Sequence, residues 1–430
     1  MRSPKEQGQA LPPQGRLRKE NKMKELPLDG IRVLDFGQMW AGPHVTEWLS
    51  VAGAEVIKIE TSLRIDFMRN VGISSAVPPK DRTPNHGSAF ASLNYGKKSL
   101  TLNMNTQQAR DIFKKLVMIS DVVSENFGGA ILDRWGVGYN DLKKIKPDMI
   151  LYQGSGYGRT GPFIERPAYA EIVEAFDGSS YLNGYPGGDP NTVGVAPWMD
   201  AGQAMHGAFA ILCALHHREQ TGEGQQIDGA MIEGSANFLG EAIMDAIMNK
   251  RVSERLGNRD KVMAPHGCYR CKGEYDWVAI AISDDKEWAA LCKVMGNPAW
   301  AQNPKYADQL SRWKEQDELD ANIQAWTKDK DAYEVAAMLQ KAGVMAGPTL
   351  SPKGVVEDPQ IRARGFMVEN DHPFLGHLGY AGMDFHLSNA PKGNYGPAPL
   401  LGEHNEYVLG KLLGYSKEEI AALVNEKVLL

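Results

Sequence analysis

The chain has 430 residues, 43% of them hydrophobic and 23% charged, with a formal net charge of −6 and four cysteines. That is ordinary globular composition, long enough for two cores. It argues against a basic nucleic-acid surface, a disulfide-built scaffold and a membrane span of roughly 20 apolar residues, and the cysteine usage suits a reduced cytoplasm.

Residues 1–26 are polar, basic and dotted with Pro and Gly, so a disordered tail is expected there. "IRVLDFG" (31–37) reads as a buried strand ending in a glycine turn. "PHVTEWLSVAG" follows as a helix, with Pro43 near its start and Gly53 closing it. "AEVIKIE" (54–60) completes a parallel strand–helix–strand unit. "KSLTLNM" (98–104), "SDVVSENF" (120–127) and "PDMILYQGSGYG" (147–158) repeat the rhythm, with helices expected around 106–118 and 138–145. A long apolar helix opens at Asp200. Beyond residue 225 the pattern changes to a short strand, a helical run, a meander over 262–283 and mostly helix over 284–345, including "DKEWAALCKVMG" and "DAYEVAAMLQKAG". The fold class is therefore α/β, a parallel sheet covered by helices with a second, smaller α/β domain.

Each chemically suggestive stretch has a plainer counterpart. Glu60 ends the second strand, where a dinucleotide-binding fold places its ribose-binding acid. The preceding turn is "FGQMWAGP", however, and Met39 and Trp40 stand where bare backbone should approach a pyrophosphate. "QGSGYGRTGP" (153–162) lacks the Lys-Ser/Thr of a P-loop and either shapes a pocket or makes a tight turn. Cys268 and Cys271 are a lone C-x-x-C pair, short of a zinc site. His216 and His217 fall in the last turns of the Asp200 helix and complement its dipole. Asn126, Phe127 and Arg134 bring an amide, an aromatic ring and a cation to one sheet edge, fit either for an adenine and a phosphate or for a capped helix with a surface Arg. Asp200 itself is either a helix N-cap or a nucleophile or base at a helix N-terminus.

Taken in order from about residue 27, "PLDGIRVLDFGQMWAGP", "GAEVIKIE", "NYGKKSLTLNM", "SDVVSENFGGAILDRWGVGY", "GSGYGRTGP", "ALHHREQTGEGQQID", "APHGCYRCKG" and "APLLGEHNEYVL" resemble the class III CoA-transferases. This is the family of formyl-CoA and carnitine CoA-transferases, with α-methylacyl-CoA racemases as a sister branch. The resemblance implies a Rossmann-like large domain made from both chain ends (27–225 and 366–430), with a small domain and its linkers over 226–365, in an interlocked homodimer. It implies an acyl-CoA donor and a carboxylic acid acceptor, coenzyme A as substrate, no permanently bound cofactor and no metal. It places the nucleophile at Asp200, kept ionised by its helix N-terminus, and CoA contacts at Trp40, Ala41, Asn126, Phe127 and Arg134.

The chain departs from the family pattern in three places. Thr61 stands where a phosphate-binding Arg is common, with Arg64 nearby as a substitute. The glycine-rich flap is missing, since the region before "APHG" reads "NRDKVM", which argues against a formyl/oxalyl pair. Tyr169-Ala170 replaces the His-Asp pair of the racemases, which argues against proton exchange at an α-carbon. Trp40, Tyr157, Trp198 and Met199 suggest a pocket for a larger acid. A racemase, a non-catalytic CoA-binding subunit of a hetero-oligomeric transferase and, more remotely, a nicotinamide-dependent dehydrogenase remain open at this point.

Overall fold

The computed structural model describes residues 25–189 and 198–430, so nearly all of the expected N-terminal tail lies outside the described residues. Six strands, β1 (Arg32–Asp35), β2 (Glu55–Glu60), β3 (Lys98–Thr101), β4 (Val122–Glu125), β5 (Ile150–Ser155) and β6 (Gln226–Ala230), form one sheet in the order β3-β2-β1-β4-β5-β6. Every neighbouring pair is parallel. The apolar runs explain this. Val33, Leu34, Val122, Val123, Ile150 and Leu151 are fully buried, as strands covered on both faces must be.

On one face, Val45 and Leu49 of α1 (Ala41–Val51) pack with Ala204, Ala208 and Ile211 of a long helix introduced below as α5. On the other, Ile112, Phe113 and Leu116 of α2 (Gln107–Met118) pack with Leu142 of α3 (Tyr139–Ile145) and with Val408, Leu409, Leu423 and Val428 near the C-terminus. The strand order reverses between β1 and β4. At such a switch point the carboxyl ends of the strands leave a crevice for ligands.

Past β5 come α4 (Ala170–Asp177), α5 (Trp198–Thr221), α6 (Met231–Ala236) and α7 (Gly240–Asn249). Asp200 does not open α5, as expected from the sequence; it is the third residue of the helix, and the capping position falls outside the described residues.

A second, antiparallel sheet joins β7 (His266–Arg270), β8 (Trp277–Ala281) and β9 (Met345–Thr349). Its own apolar core contains Trp288 and Leu291 of α8 (Asp285–Val294), Leu319 and Ile323 of α9 (Gln316–Thr327), and Val335 and Leu339 of α10 (Ala332–Lys341). The meander read over 262–283 supplies two of these strands, and the third arrives only after the helices. A hairpin of β10 (Met367–His372) and β11 (Gly376–Ala381), not expected from the sequence, precedes the C-terminal segment and α11 (Lys417–Asn425).

Candidate active site

The turn leaving β1 is tightly specified. Asp35 is fully buried and accepts the Gly37 N–H at 2.7 Å and the Thr46 hydroxyl at 2.8 Å, while Lys97 Nζ lies 3.0 Å away. A Cβ on Gly37 would come within 2.6 Å of the Gly42 carbonyl carbon, and one on Gly42 within 2.5 Å of the Asn126 amide. Only glycine fits at either position, because backbone and side chain already occupy the space. Met39 adopts a left-handed φ of 64°, unusual for a residue with a Cβ. Asn126 clamps the turn from the end of β4, accepting the Gln38 N–H at 2.8 Å and donating to its carbonyl at 2.9 Å. Trp40 then caps α1, and Ala41 is the first residue of that helix.

The start of α5 is laid across this turn. Gly207 packs so closely that a Cβ there would sit 2.6 Å from the Tyr152 hydroxyl, and Gln203 donates to the same hydroxyl at 2.9 Å. Ala41, Met199, Val173 and Met231 share one small apolar cluster, bringing α1, α4, α5 and α6 together. Asp200 lies within this convergence, and the Ala41 backbone N–H donates to its carboxylate.

Burial pushes the Asp200 carboxyl up to about 6; the Ala41 hydrogen bond opposes that rise and Glu171 adds to it. This corrects the expected direction, because desolvation outweighs any helix-dipole stabilisation of the anion. The group is still mostly ionised at neutral pH. Glu174 is only 5% exposed, and its Oε1 has no hydrogen-bond partner among the described residues. Its carboxyl is raised by burial and then by the neighbouring Asp177, Glu171 and Asp200.

The residues expected to contact CoA divide into two groups. Trp40, Ala41 and Asn126 form the turn beside Asp200. Asn126 is engaged with backbone at both ends of its amide, so in this structure it positions the turn. Phe127 packs against Phe36 and Trp135, with ring centroids 6.3 and 6.1 Å away, and Arg134 is exposed at the end of the short Ile131–Arg134 helix. Thr61 caps the turn Ser62–Arg64 through its hydroxyl, and Arg64 is exposed.

Of the suggested pocket residues, Met199 is buried beneath the site, Tyr157 packs edge-on to Phe163 and Phe176, and Trp198 packs edge-on to Phe238. Glu60 is no ribose ligand here: the Arg69 guanidinium takes both of its oxygens at 2.8 Å and Ser99 donates at 2.7 Å. Cys268 and Cys271 are free thiols, and burial raises that of Cys271.

Sequence reasoning missed Glu125, which precedes Asn126. Burial raises its carboxyl to about 7, against the Gln153 amide that donates to it at 2.7 Å. Gln226 in turn donates to Gln153 at 2.6 Å. An acid closing a strand at the carboxyl edge was the available signal. Arg159, from the glycine-rich loop, reaches Asp133 at 2.6 Å and the Gly129 carbonyl at 2.9 Å, tying that loop to the segment after Phe127.

The sequence model described as CoA-transferase family III matches residues 28–405. The beta subunit of a succinyl-CoA–L-malate CoA-transferase from Chloroflexus aurantiacus is 34% identical over 406 residues, covering 94% of this chain and 98% of that protein. A formyl-CoA:oxalate CoA-transferase from Bradyrhizobium diazoefficiens is 32% identical over 414 residues, covering 92% and 95% respectively. Among solved structures, a CAIB/BAIF family protein from Brucella suis superposes with a TM-score of 0.81 at 29% identity, covering 90% of this chain and all of that one.

Proposed function

This chain belongs to CoA-transferase family III, and from that premise we propose that it moves CoA from an acyl-CoA donor to a carboxylic acid through covalent intermediates on Asp200. One observation carries the reading. Asp200 is a half-buried, still ionisable carboxylate at the convergence of four helices, and among the described residues a backbone N–H at the head of α1 donates to it. Its raised basicity makes it a better nucleophile than an ordinary carboxylate, and its value near 6 leaves it charged at neutral pH.

The Asp200 carboxylate attacks the donor thioester carbonyl. The C–S bond breaks, CoA leaves as thiolate and a mixed anhydride forms. The thiolate then attacks the aspartyl carbonyl, expelling the donor acid as carboxylate and leaving an aspartyl-CoA thioester. The acceptor carboxylate attacks that carbonyl and releases the thiolate again. Attack of the thiolate on the acceptor's acyl carbon returns Asp200 as carboxylate and gives the new acyl-CoA. No net proton is taken up or released. Trp40 and Ala41, with the Asn126–Phe127–Arg134 edge, are the proposed CoA-binding surface, and the proposed working unit is an interlocked homodimer in the cytoplasm.

Asp200→Asn decides between this reading and a purely structural one. Asn has nearly the shape of Asp and its amide oxygen can still accept the Ala41 N–H, so a structural role predicts near-normal turnover. An amide cannot form the anhydride, so the proposed role predicts loss of transfer with fold and CoA binding kept. Hydroxylamine added to wild type with succinyl-CoA should trap a hydroxamate that peptide mapping places on Asp200. An adduct on Glu171, or turnover by the Asn variant, would sink the assignment.

A further inference from the structure

Lys58 and Asp66 form an ion pair, Nζ to Oδ2 at 3.2 Å, with side chains 1% and 2% exposed. The proposed chemistry uses neither. Burying two charges costs more solvation than their attraction usually returns, so such a pair is poor evidence of simple stabilisation. Both partners grip the same turn. Lys58 Nζ donates to the Gly37 carbonyl. Asp66 Oδ1 accepts the Met39 N–H at 3.2 Å and the Met68 N–H at 3.1 Å. Between those two grips lies Gln38, whose peptide is clamped by Asn126. Met39 is held at a φ of 64°, a conformation that persists only where the surroundings over-determine it. The next residues are Trp40 and then Ala41, whose N–H meets Asp200.

We propose that Lys58 and Asp66 are positioning residues for the reaction. They fix the 37–41 turn in its strained form so that the Ala41 N–H is aimed at the Asp200 carboxylate. This deepens the reading of Asp200 as nucleophile and rests on it for its catalytic meaning. The device acts against its surroundings. The charged groups acting on Asp200 from α4 are Glu171 and Glu174, both acids, α6 carries Glu233 in its first turn, and α1 contributes the N–H with His44 one turn on. If the turn relaxes, the Ala41 contact that favours the anion is lost, and none of these described groups is a cation that replaces it, His44 being held neutral by burial.

The test is a carbon-13 titration of the full chain labelled at aspartate carboxyls, with the Asp200 signal identified by its absence in Asp200→Asn. The variants are Asp66→Ala, Lys58→Met and the charge-free double Lys58→Met/Asp66→Leu, which retains a packed interior if a single variant fails to fold. Arg69→Lys is the comparison, because Arg69 is equally buried and salt-bridged but does not touch the turn. The expected result is an Asp200 midpoint raised by about one pH unit in the pair variants, a tenfold loss of the ionised form below the midpoint. Arg69→Lys should lower the melting temperature and leave the midpoint in place. An unmoved midpoint in a folded pair variant, or an equal shift in Arg69→Lys, overturns the proposal. Turnover is read separately. A shifted midpoint combined with normal turnover in Asp200→Asn would retain the positioning device and remove Asp200 as nucleophile.

Discussion

Asp200 shows how one side chain's chemistry and stability are linked. Its carboxyl titrates from a reference of 3.8 and is raised to about 6 in the fold. Between those values the folded state binds more protons than the unfolded one, so this group's contribution to stability rises as pH falls through the window and its cost is complete above 6. Asp200→Asn removes that cost. Chemical denaturation should find the variant more stable than wild type at pH 7.5, by at most about 3 kcal/mol and by less once solvent screening of this half-buried carboxylate is counted, with the gap closing below pH 4. A variant less stable at pH 7.5 would mean that the carboxylate contributes more through its contacts than it loses through burial. The sequence pointed to Asp200 only through resemblance. Spacing alone left cap and nucleophile level, because the Ala41 N–H that meets it comes from a segment far earlier in the chain. Lys58, Asp66 and Glu125 were invisible for a related reason: a charged residue in a strand or loop reads as solvated until its partner is placed beside it.

The elements legible in the sequence are those whose burial is written locally. The parallel strands announce themselves as short apolar runs, and α2 as a stripe at helical spacing. The β10–β11 hairpin does not, because "MVENDH" and "GHLGYA" are polar and only partly buried. The helices α5 and α7 raise the opposite problem. Ala204, Ala208 and Ile211 face the sheet, yet Met205, Phe209 and Leu212 are exposed on the other side of α5, Phe209 at 68%. Ile243, Met244, Ile247 and Met248 are exposed along α7. A helix apolar on more than one face needs a second cover, and contiguous patches of this kind mark interfaces. The occupant favoured here is a second copy of the chain, in line with the proposed homodimer. Light scattering should give twice the chain mass, unchanged on dilution, because interlocked chains separate only by unfolding. A monomer, or a mass that falls on dilution, would count against it.

At the scale of the whole molecule, the last residues complete a core begun by the first strands. Val408, Leu409, Leu423, Val428 and Leu429 are buried in the same cluster as Leu34, Ile57 and Leu100. The backbone contacts agree: the Asn103 N–H donates to the Val428 carbonyl at 2.8 Å, the Ser62 N–H to the Leu430 carbonyl at 2.9 Å and the Thr101 N–H to Asn405 Oδ1 at 2.9 Å. The C-terminal segment thus covers the β3 side of the sheet, which otherwise would present an unpaired edge. Each large aliphatic side chain contributes roughly 1.5–3 kcal/mol on burial, so the five together contribute on the order of 10 kcal/mol, as much as a typical domain's entire stability of about 5–15 kcal/mol. Arg69 adds a further tie by donating to the Pro399 carbonyl from within the β2–β3 region. A chain ending at residue 396 should therefore fail to fold even though every strand of the parallel sheet remains. The expected outcome is aggregation on expression, or a circular dichroism spectrum without a cooperative thermal transition. A soluble, cooperatively melting 1–396 fragment would show that the sheet closes its own core and that the C-terminal segment is an accessory.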